Sequence, residues 1–279
     1  MELRLGHRTL SLERPRVMGV LNVTPDSFSD GGNYLSLDQA LLRAAKMHEE
    51  GVDIIDIGGD STRPGSEETP LQEELDRVIP VVERLSSGLD VAVSVDSSKP
   101  EVMEQAVRAG AVMINDVFAL RKEGALEMAA GLDAAVCLMH MQGSPESMQQ
   151  APVYGELPGD VIRFLAERVE ICSAAGIEKE RMLVDPGFGF GKNDAHNLKL
   201  LANLDQFAEL ELPLLVGLSR KQWLGNLTGK PVGERVSAGI AAALAAIDRG
   251  ANIVRTHDVA STVDAFKVAE AIKQAGRGK

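Results

Sequence analysis

The sequence predicts a single (β/α)8 TIM barrel spanning residues 1–279, an α/β fold with its active site at the carboxyl ends of the strands. Three observations carry that reading. Eight short apolar runs alternate with longer stretches whose apolar residues recur at three and four. Several of the longer stretches end in glycine, as a left-handed helix cap prefers. A polar residue follows every apolar run, so the reactive groups collect at one end of the alternation.

The first run, Val17 to Val23, precedes a helical pattern from Leu37 to Glu50 that stops at Gly51. Asp53 to Ile57 is followed by Leu71 to Ser86. Val91 to Val95 is followed by Glu101 to Ala109 and then Gly110. Val112 to Ile114 makes the fourth run. The fifth, Ala134 to Met139, precedes a helical pattern from Gly159 to Ala175 that ends at Gly176. Met182 to Val184 and Pro213 to Val216 are the sixth and seventh, the latter followed by Arg235 to Arg249 and Gly250. Asn252 to Val254, with Ser261 to Ala275, completes the series. Continuous Val- and Ile-rich runs are what strands covered on both faces require, and that favours a closed parallel barrel over an open sheet.

Composition narrows the function classes. A formal charge of −12 disfavours nucleic acid and anionic membrane surfaces, because both are held by clustered Lys and Arg. Apolar runs such as Ile240 to Ile247 fall well short of the roughly 18 residues that span a bilayer. The opening MELRLGHRTL places charge at Glu2, Arg4 and Arg8, where an export signal would need an apolar stretch. Cys137 and Cys172 show no paired spacing, so a reducing, cytoplasmic setting is expected. An anionic substrate would have to meet local positive charge.

The residues after each run draft the site: Asn22; Asp60, Ser61, Thr62 and Arg63; Asp96; Asn115 and Asp116; His140; Asp185; Ser219, Arg220 and Lys221; and Arg255, His257 and Asp258. Any one of them could be a cap or turn residue, and Asp116 and Asp258 are read that way. As a set they divide into two chemistries. Asp96, Asn115 and Asp185 suit a planar heterocycle with adjacent N–H donors, whereas Arg63, Arg255 and His257 suit phosphate oxygens as donors and cations. Met139 could lie under a ring at the barrel floor.

Two glycine-rich segments, DIGGDSTRPGS (Asp56 to Ser66) and DPGFGFGK (Asp185 to Lys192), would let backbone approach a ligand, but neither is a dinucleotide or Walker A motif. A zinc site from Asp96, Asp185, His140 and His257 is a rival, weakened by the lack of any HxH or HExxH pair. His7, His48 and His196 read as surface or loop residues, and Trp223 as a packing anchor.

Eight segments, in order, can be set beside a known family: VMGVLNVTPDSFSDGG (Val17 to Gly32), DIIDIGGDSTRPGS (Asp53 to Ser66), SVDSSKPEV (Ser94 to Val102), INDV (Ile114 to Val117), LMHMQGSPESMQ (Leu138 to Gln149), LVDPGFGFGK (Leu183 to Lys192), GLSRK (Gly217 to Lys221) and IVRTHDV (Ile253 to Val259). Over nearly the whole chain they resemble the dihydropteroate synthases of folate biosynthesis, pterin-binding barrels that are also sulfonamide targets. The resemblance implies transfer of a pterin-methyl group from (7,8-dihydropterin-6-yl)methyl diphosphate to 4-aminobenzoate, with release of diphosphate.

It further implies roles for particular residues. Asp96, Asn115, Asp185 and Lys221 would hold the pterin edge, with Met139 and Phe190 against the ring. Asn22, Thr62, Arg63, Arg255 and His257 would grip diphosphate, and Asn22 would also ligate Mg2+. Phe28, Thr62, Arg63, Pro64, Phe190, Ser219 and Lys221 would form the aminobenzoate pocket. Asp30, Asp96 and Lys221 are the catalytic candidates, the two carboxylates favouring a cationic methylene in a dissociative, SN1-like step. Family members are typically homodimers through late helices, which the Ala-rich Arg235 to Arg249 stretch suits. The segment Gln222 to Pro231 shows no family pattern. A corrinoid methyltransferase that binds methyltetrahydrofolate would share the pterin floor but needs no diphosphate grip. A non-catalytic pterin-binding barrel would be expected to lack Asn22, Arg63, Lys221 or the Arg255 and His257 pair, and all are present.

Overall fold

A computed structural model describes residues 1–24, 33–60, 68–143, 148 and 152–277, without the side chains of 33–36 and 277. The chain opens on an antiparallel hairpin, β1 (Glu2–Leu5) and β2 (Arg8–Ser11), which is not among the predicted elements. Its strands are four residues each, too short for an alternating pattern to stand out. Its turn uses Gly6 at φ 55°, where a Cβ would come within 2.8 Å of the Asp133 carbonyl.

Each predicted apolar run is a strand, displaced by a residue or two. These are β3 (Arg16–Asn22), β4 (Ile54–Gly58), β5 (Ala92–Asp96), β6 (Met113–Asp116), β7 (Ala135–Met139), β8 (Met182–Asp185), β9 (Leu215–Gly217) and β10 (Ile253–Thr256). They form one parallel sheet in the order β8-β7-β6-β5-β4-β3-β10-β9. The two outer strands meet: Val184 bridges Leu214 in parallel register, and its N–H donates to the Pro213 carbonyl at 2.9 Å. The sheet therefore curls into a barrel, as the sequence predicts.

Helices fill the connections: α1 (Asn33–Glu49), α2 (Leu71–Gly88), α3 (Pro100–Arg108), α4 (Ala125–Gly131), α5 (Gly159–Ala174), α6 (Asp194–Ala202), α7 (Gln222–Thr228), α8 (Val236–Ile247) and α9 (Val259–Arg277). The short α4, α6 and α7 were not predicted, since seven to nine residues hold barely two turns of periodicity. Gly51, Gly110, Gly176 and Gly250 do follow helices with φ of 90°, 112°, 98° and 99°, the left-handed stop their positions suggested. Among the described residues no helix is long and apolar enough to cross a membrane.

Inside the barrel the strands alternate between two levels. At the lower level Met18, Ile54, Ala92, Met113, Leu183, Leu215 and Ile253 pack with Leu3, Leu5 and Leu12 from the hairpin side, forming an apolar floor. Outside, a larger core of helix and strand residues covers the other face of the sheet. Because side chains repeat their direction every second residue, the next inward positions sit roughly 6.6 Å nearer the mouth. That step carries the chain from Ile54 to Asp56, from Leu183 to Asp185 and from Ile253 to Arg255.

Candidate active site

The upper level is a connected layer of buried charge. Arg255 donates from Nε to Asp56 Oδ2 at 2.6 Å and from Nη2 to Asp96 Oδ2 at 2.7 Å. Asn115 Nδ2 donates to the same Asp56 oxygen at 3.0 Å. The register explains the convergence: Gly58 pairs Asp96, Asp96 pairs Asn115, and Arg255 lies two strands from β4 across β3. Burial pushes Asp96 up to about 7 despite Arg255, with Asp56 and Asp116 adding repulsion, while the two carboxylates hold Arg255 above the usual arginine range.

Over this layer opens a cavity of about 1300 Å³. A pocket for one small ligand is usually 300–1,000 Å³, so the volume admits two reactants side by side. Asn22, Asp96, Asn115, Met139, Asp185, Phe190, Ser219, Lys221, Arg255 and His257 all line it, so the structure gathers every described residue to which the resemblance gives a role. Phe28, Asp30, Thr62, Arg63 and Pro64 lie outside the described residues.

One wall is the turn from Asp185 to Lys192. Gly187, Gly189 and Gly191 have φ of 70°, 80° and 60°, and a Cβ at the first would strike the His140 carbonyl at 1.9 Å. Glycine here is a requirement of close approach, the use the motif suggested. Gly187 N–H donates to Asp185 Oδ1 at 2.7 Å, and Gly189 N–H to Asn197 Oδ1 at 2.8 Å. Lys221 reaches in from the end of β9, its Nζ 4.2 Å from the centroid of the Phe190 ring. Met139 and Phe190 share a small apolar cluster with Val117, Met141, Met148 and Phe118, an apolar backing for a flat ligand. Burial raises Asp185 to about 6 and lowers Lys221 to about 8.

The adjoining rim gathers Ser219, Arg220, His257 and Asp258. Arg220, at a left-handed φ of 59°, pairs with Asp258 at 2.6 Å. Ser219 Oγ lies 3.1 Å from His257 Nδ1 and donates to Asp258 Oδ2 at 3.3 Å. Burial and the neighbouring Arg255 lower His257 to about 4. Arg255, beside His257, also pairs with Asp56 and Asp96 and so links this rim to the carboxylates of the upper layer.

Other expectations are adjusted too. His140 is buried behind the glycine turn, bonded to Lys192 and not among the cavity-lining residues. Asp116 is the turn residue predicted, accepting from Phe118 N–H at 2.9 Å and Leu120 N–H at 2.7 Å. His196 caps α6 in a reciprocal pair with Asn193. Sequence reasoning missed Asp56 and Lys192 as site residues. The available signal was positional: Asp56 is the inward residue two before Gly58 on a strand otherwise written IIDIG.

A family model described as pterin binding enzyme matches residues 18–257. The chain is 50% identical over 279 residues to the dihydropteroate synthase of Escherichia coli (strain K12), covering 100% of this chain and 99% of that one. Among solved structures, a Yersinia pestis dihydropteroate synthase in complex with a sulfonamide drug aligns with a TM-score of 0.94 at 53% identity, covering 98% of this chain and 100% of that one. A Xanthomonas albilineans dihydropteroate synthase with 4-aminobenzoic acid aligns with a TM-score of 0.92 at 52% identity, covering 98% of each chain.

Proposed function

The chain belongs to the pterin-binding enzyme family, among the dihydropteroate synthases, and we propose that it joins (7,8-dihydropterin-6-yl)methyl diphosphate to 4-aminobenzoate. The products are 7,8-dihydropteroate and diphosphate. The observation that carries this reading is the layer of buried Asn115 and Asp185 with half-buried Asp96 and Lys221, beneath a cavity large enough for two reactants. Carboxylates and an amide at that depth suit the N–H-rich edge of a pterin, and Lys221 suits its carbonyl and N5 side. Phe190 and Met139 back the ring. Residues 1–279 would act as one pterin-binding domain.

Substitution at the methylene would proceed by loss of diphosphate first. The C–O bond breaks and diphosphate departs with the electron pair, leaving a cationic methylene conjugated with the pterin. The arylamine nitrogen then bonds to that carbon and releases its proton to solvent. Asp96 and Asp185 favour the developing positive charge, since preorganised carboxylates in a buried site interact strongly with it. Asp30 is a further carboxylate candidate. Arylamines are neutral near pH 7, so no strong base is needed. Diphosphate release without aminobenzoate would support this order, and a strict requirement for amine before any bond cleavage would refute it.

Asn22, His257, Arg255, Thr62 and Arg63 are the proposed diphosphate grip, and Phe28, Thr62, Arg63, Pro64, Ser219, Phe190 and Lys221 the aminobenzoate pocket. Among the described residues no cluster of three or more His, Cys, Asp or Glu is arranged for a metal. Mg2+ takes most of its ligands from water and substrate phosphates, so the amide oxygen of Asn22 at the cavity wall fits an ion that arrives with diphosphate. Held there, Mg2+ would offset the charge of the leaving group.

We further place the protein in the cytoplasm, where its two buried, unpaired cysteines stay reduced, and assign it a homodimer. Val268 and Ile272, 61% and 68% exposed and one turn apart on α9, lie on a helix packed against α8 and are the apolar groups we assign to the dimer contact. Val268→Asp should convert the dimer to monomer in sedimentation, and an unchanged sedimentation coefficient would remove this face. The reaction itself is tested by mixing purified protein, Mg2+, the pterin diphosphate and labelled 4-aminobenzoate. Labelled dihydropteroate is expected, and its absence would refute the assignment.

A further inference from the structure

Lys192 is 2% exposed, and none of the roles above uses it. Its Nζ lies 2.9 Å from His140 Nδ1 and donates to the carbonyls of Gly187 at 3.0 Å and Phe190 at 3.1 Å. Burial lowers Lys192 to about 7; while it is charged the ammonium has three hydrogens and no lone pair, so these three partners use all of them and His140 Nδ1 must accept. His140 is therefore the neutral imidazole with its proton on Nε2. The ring is held in place edge-on to Phe164 at 5.0 Å, and its own N–H on the backbone donates to the Asp185 carbonyl at 2.9 Å.

The two carbonyls that Lys192 holds are not arbitrary. Gly187 supplies the N–H that fixes Asp185, and its carbonyl also accepts from Phe190 N–H at 3.1 Å. Phe190 carries the ring that Lys221 faces. One lysine thus grips Phe190 by its backbone while another meets its face. The remaining polar groups of the turn have separate anchors: Tyr154 Oη donates to the Gly191 carbonyl at 2.7 Å, and Asn197 takes Gly189 N–H. Without the ammonium, the Phe190 carbonyl loses its donor, the Gly187 carbonyl keeps only Phe190 N–H, and the turn is no longer tied to His140.

We propose that Lys192 is a positioning residue for ring recognition: its ammonium ties Gly187 and Phe190 to His140 and so fixes the wall on which the pterin packs. This rests on the pterin reading of the cavity. Its effect falls on the ring side and spares the arylamine side, which a general loss of stability would not do.

Lys192→Met keeps the length and apolar bulk of the side chain while removing its donors. With 6-hydroxymethylpterin as the calorimetric probe, affinity should fall about tenfold, and KM for the pterin diphosphate should rise alike. KM for aminobenzoate should stay within about twofold. A cycle with Phe190→Ala supplies the link: that change should cost a much smaller factor in K192M than in the native protein. Native affinity in K192M, or equal factors in both backgrounds, would overturn the proposal. A native protein that fails to bind the probe would instead overturn the pterin reading. Should K192M not fold, Lys192→Gln and the native protein decide. The variant should show the same selective loss, and nitrogen-15 spectra of His140 in the native protein should show a bare Nδ1 and a protonated Nε2 at pH 5 to 6, where Lys192 is charged. A protonated Nδ1 would refute the geometry.

Discussion

Ile54 and Asp56 sit two residues apart on β4 and face the same way, yet they belong to regions governed by different physics. Around Ile54 the barrel interior is apolar and sealed by the hairpin, and burial there stabilises at roughly 25 cal/mol per Å². Around Asp56 the same strands hold two further carboxylates and an arginine, and Lys221 reaches in beyond the end of β9. Buried ion pairs often stabilise no better than apolar residues of the same size, because desolvation offsets their attraction. The floor therefore explains why the barrel stands, and the layer above it is accounted for by what it binds.

The strongest way to break that contrast is Arg255→Ala. It leaves Asp56 and Asp96 buried without their shared partner, the case that costs about 3–5 kcal/mol. Synthase activity should fall by at least about a hundredfold and the melting temperature should drop sharply, measured by product assay and calorimetry. A variant that retains both would show that the guanidinium is not the keystone of the upper layer. One level down, Leu183→Ala should cost about 2–5 kcal/mol in denaturant unfolding while leaving kcat within about twofold. A large loss of kcat at native stability would erase the division between floor and site.

Asp185 sharpens the contrast from the other side. Burial raises it to about 6 and lowers Lys221 to about 8. The ring needs Asp185 ionised as acceptor, so pterin affinity should fall as pH drops through 6. It needs Lys221 charged as donor, so affinity should also fall as pH rises through 8. Asp185→Asn should weaken binding about tenfold at pH 7 and abolish the acid limb while keeping the alkaline one, by calorimetry from pH 5 to 9. A carboxyl raised on folding stabilises at low pH, and that contribution is lost as pH rises through its folded value. The variant should therefore be at least as stable as the native protein at pH 7, and a lower melting temperature would assign Asp185 to the scaffold.

The two regions were unequally legible. The floor and its strands follow from local pattern, since Val and Ile runs and helix-ending glycines report the barrel without tertiary information. Most of the upper layer is legible because a polar residue at a strand end is locally conspicuous. Asp56 is not, because its burial depends on Arg255, 199 residues away. Lys192 looks like a surface lysine ending a glycine turn until His140, 52 residues earlier, is brought beside it. The lowered titration of His257 comes from burial and from Arg255, which no spacing encodes. The hairpin that seals the floor is simply too short to announce itself.

The smallest expected effect lies on the boundary itself. Ser94 pairs with Asp56 across β4 and β5 and falls between Ala92 of the floor and Asp96 of the charged layer. It is fully buried, and its Oγ has no hydrogen-bond partner among the described residues. A buried hydroxyl left without a partner is destabilising, whereas a methyl group in its place extends the floor upward by one position. Ser94→Ala should therefore be neutral or more stable by up to about 1 kcal/mol, with pterin affinity within about twofold of native. Denaturant unfolding and calorimetry would measure both. If Ser94→Ala instead destabilises and weakens pterin binding together, the hydroxyl works for the charged layer, and the boundary between stability and recognition moves down to Ala92.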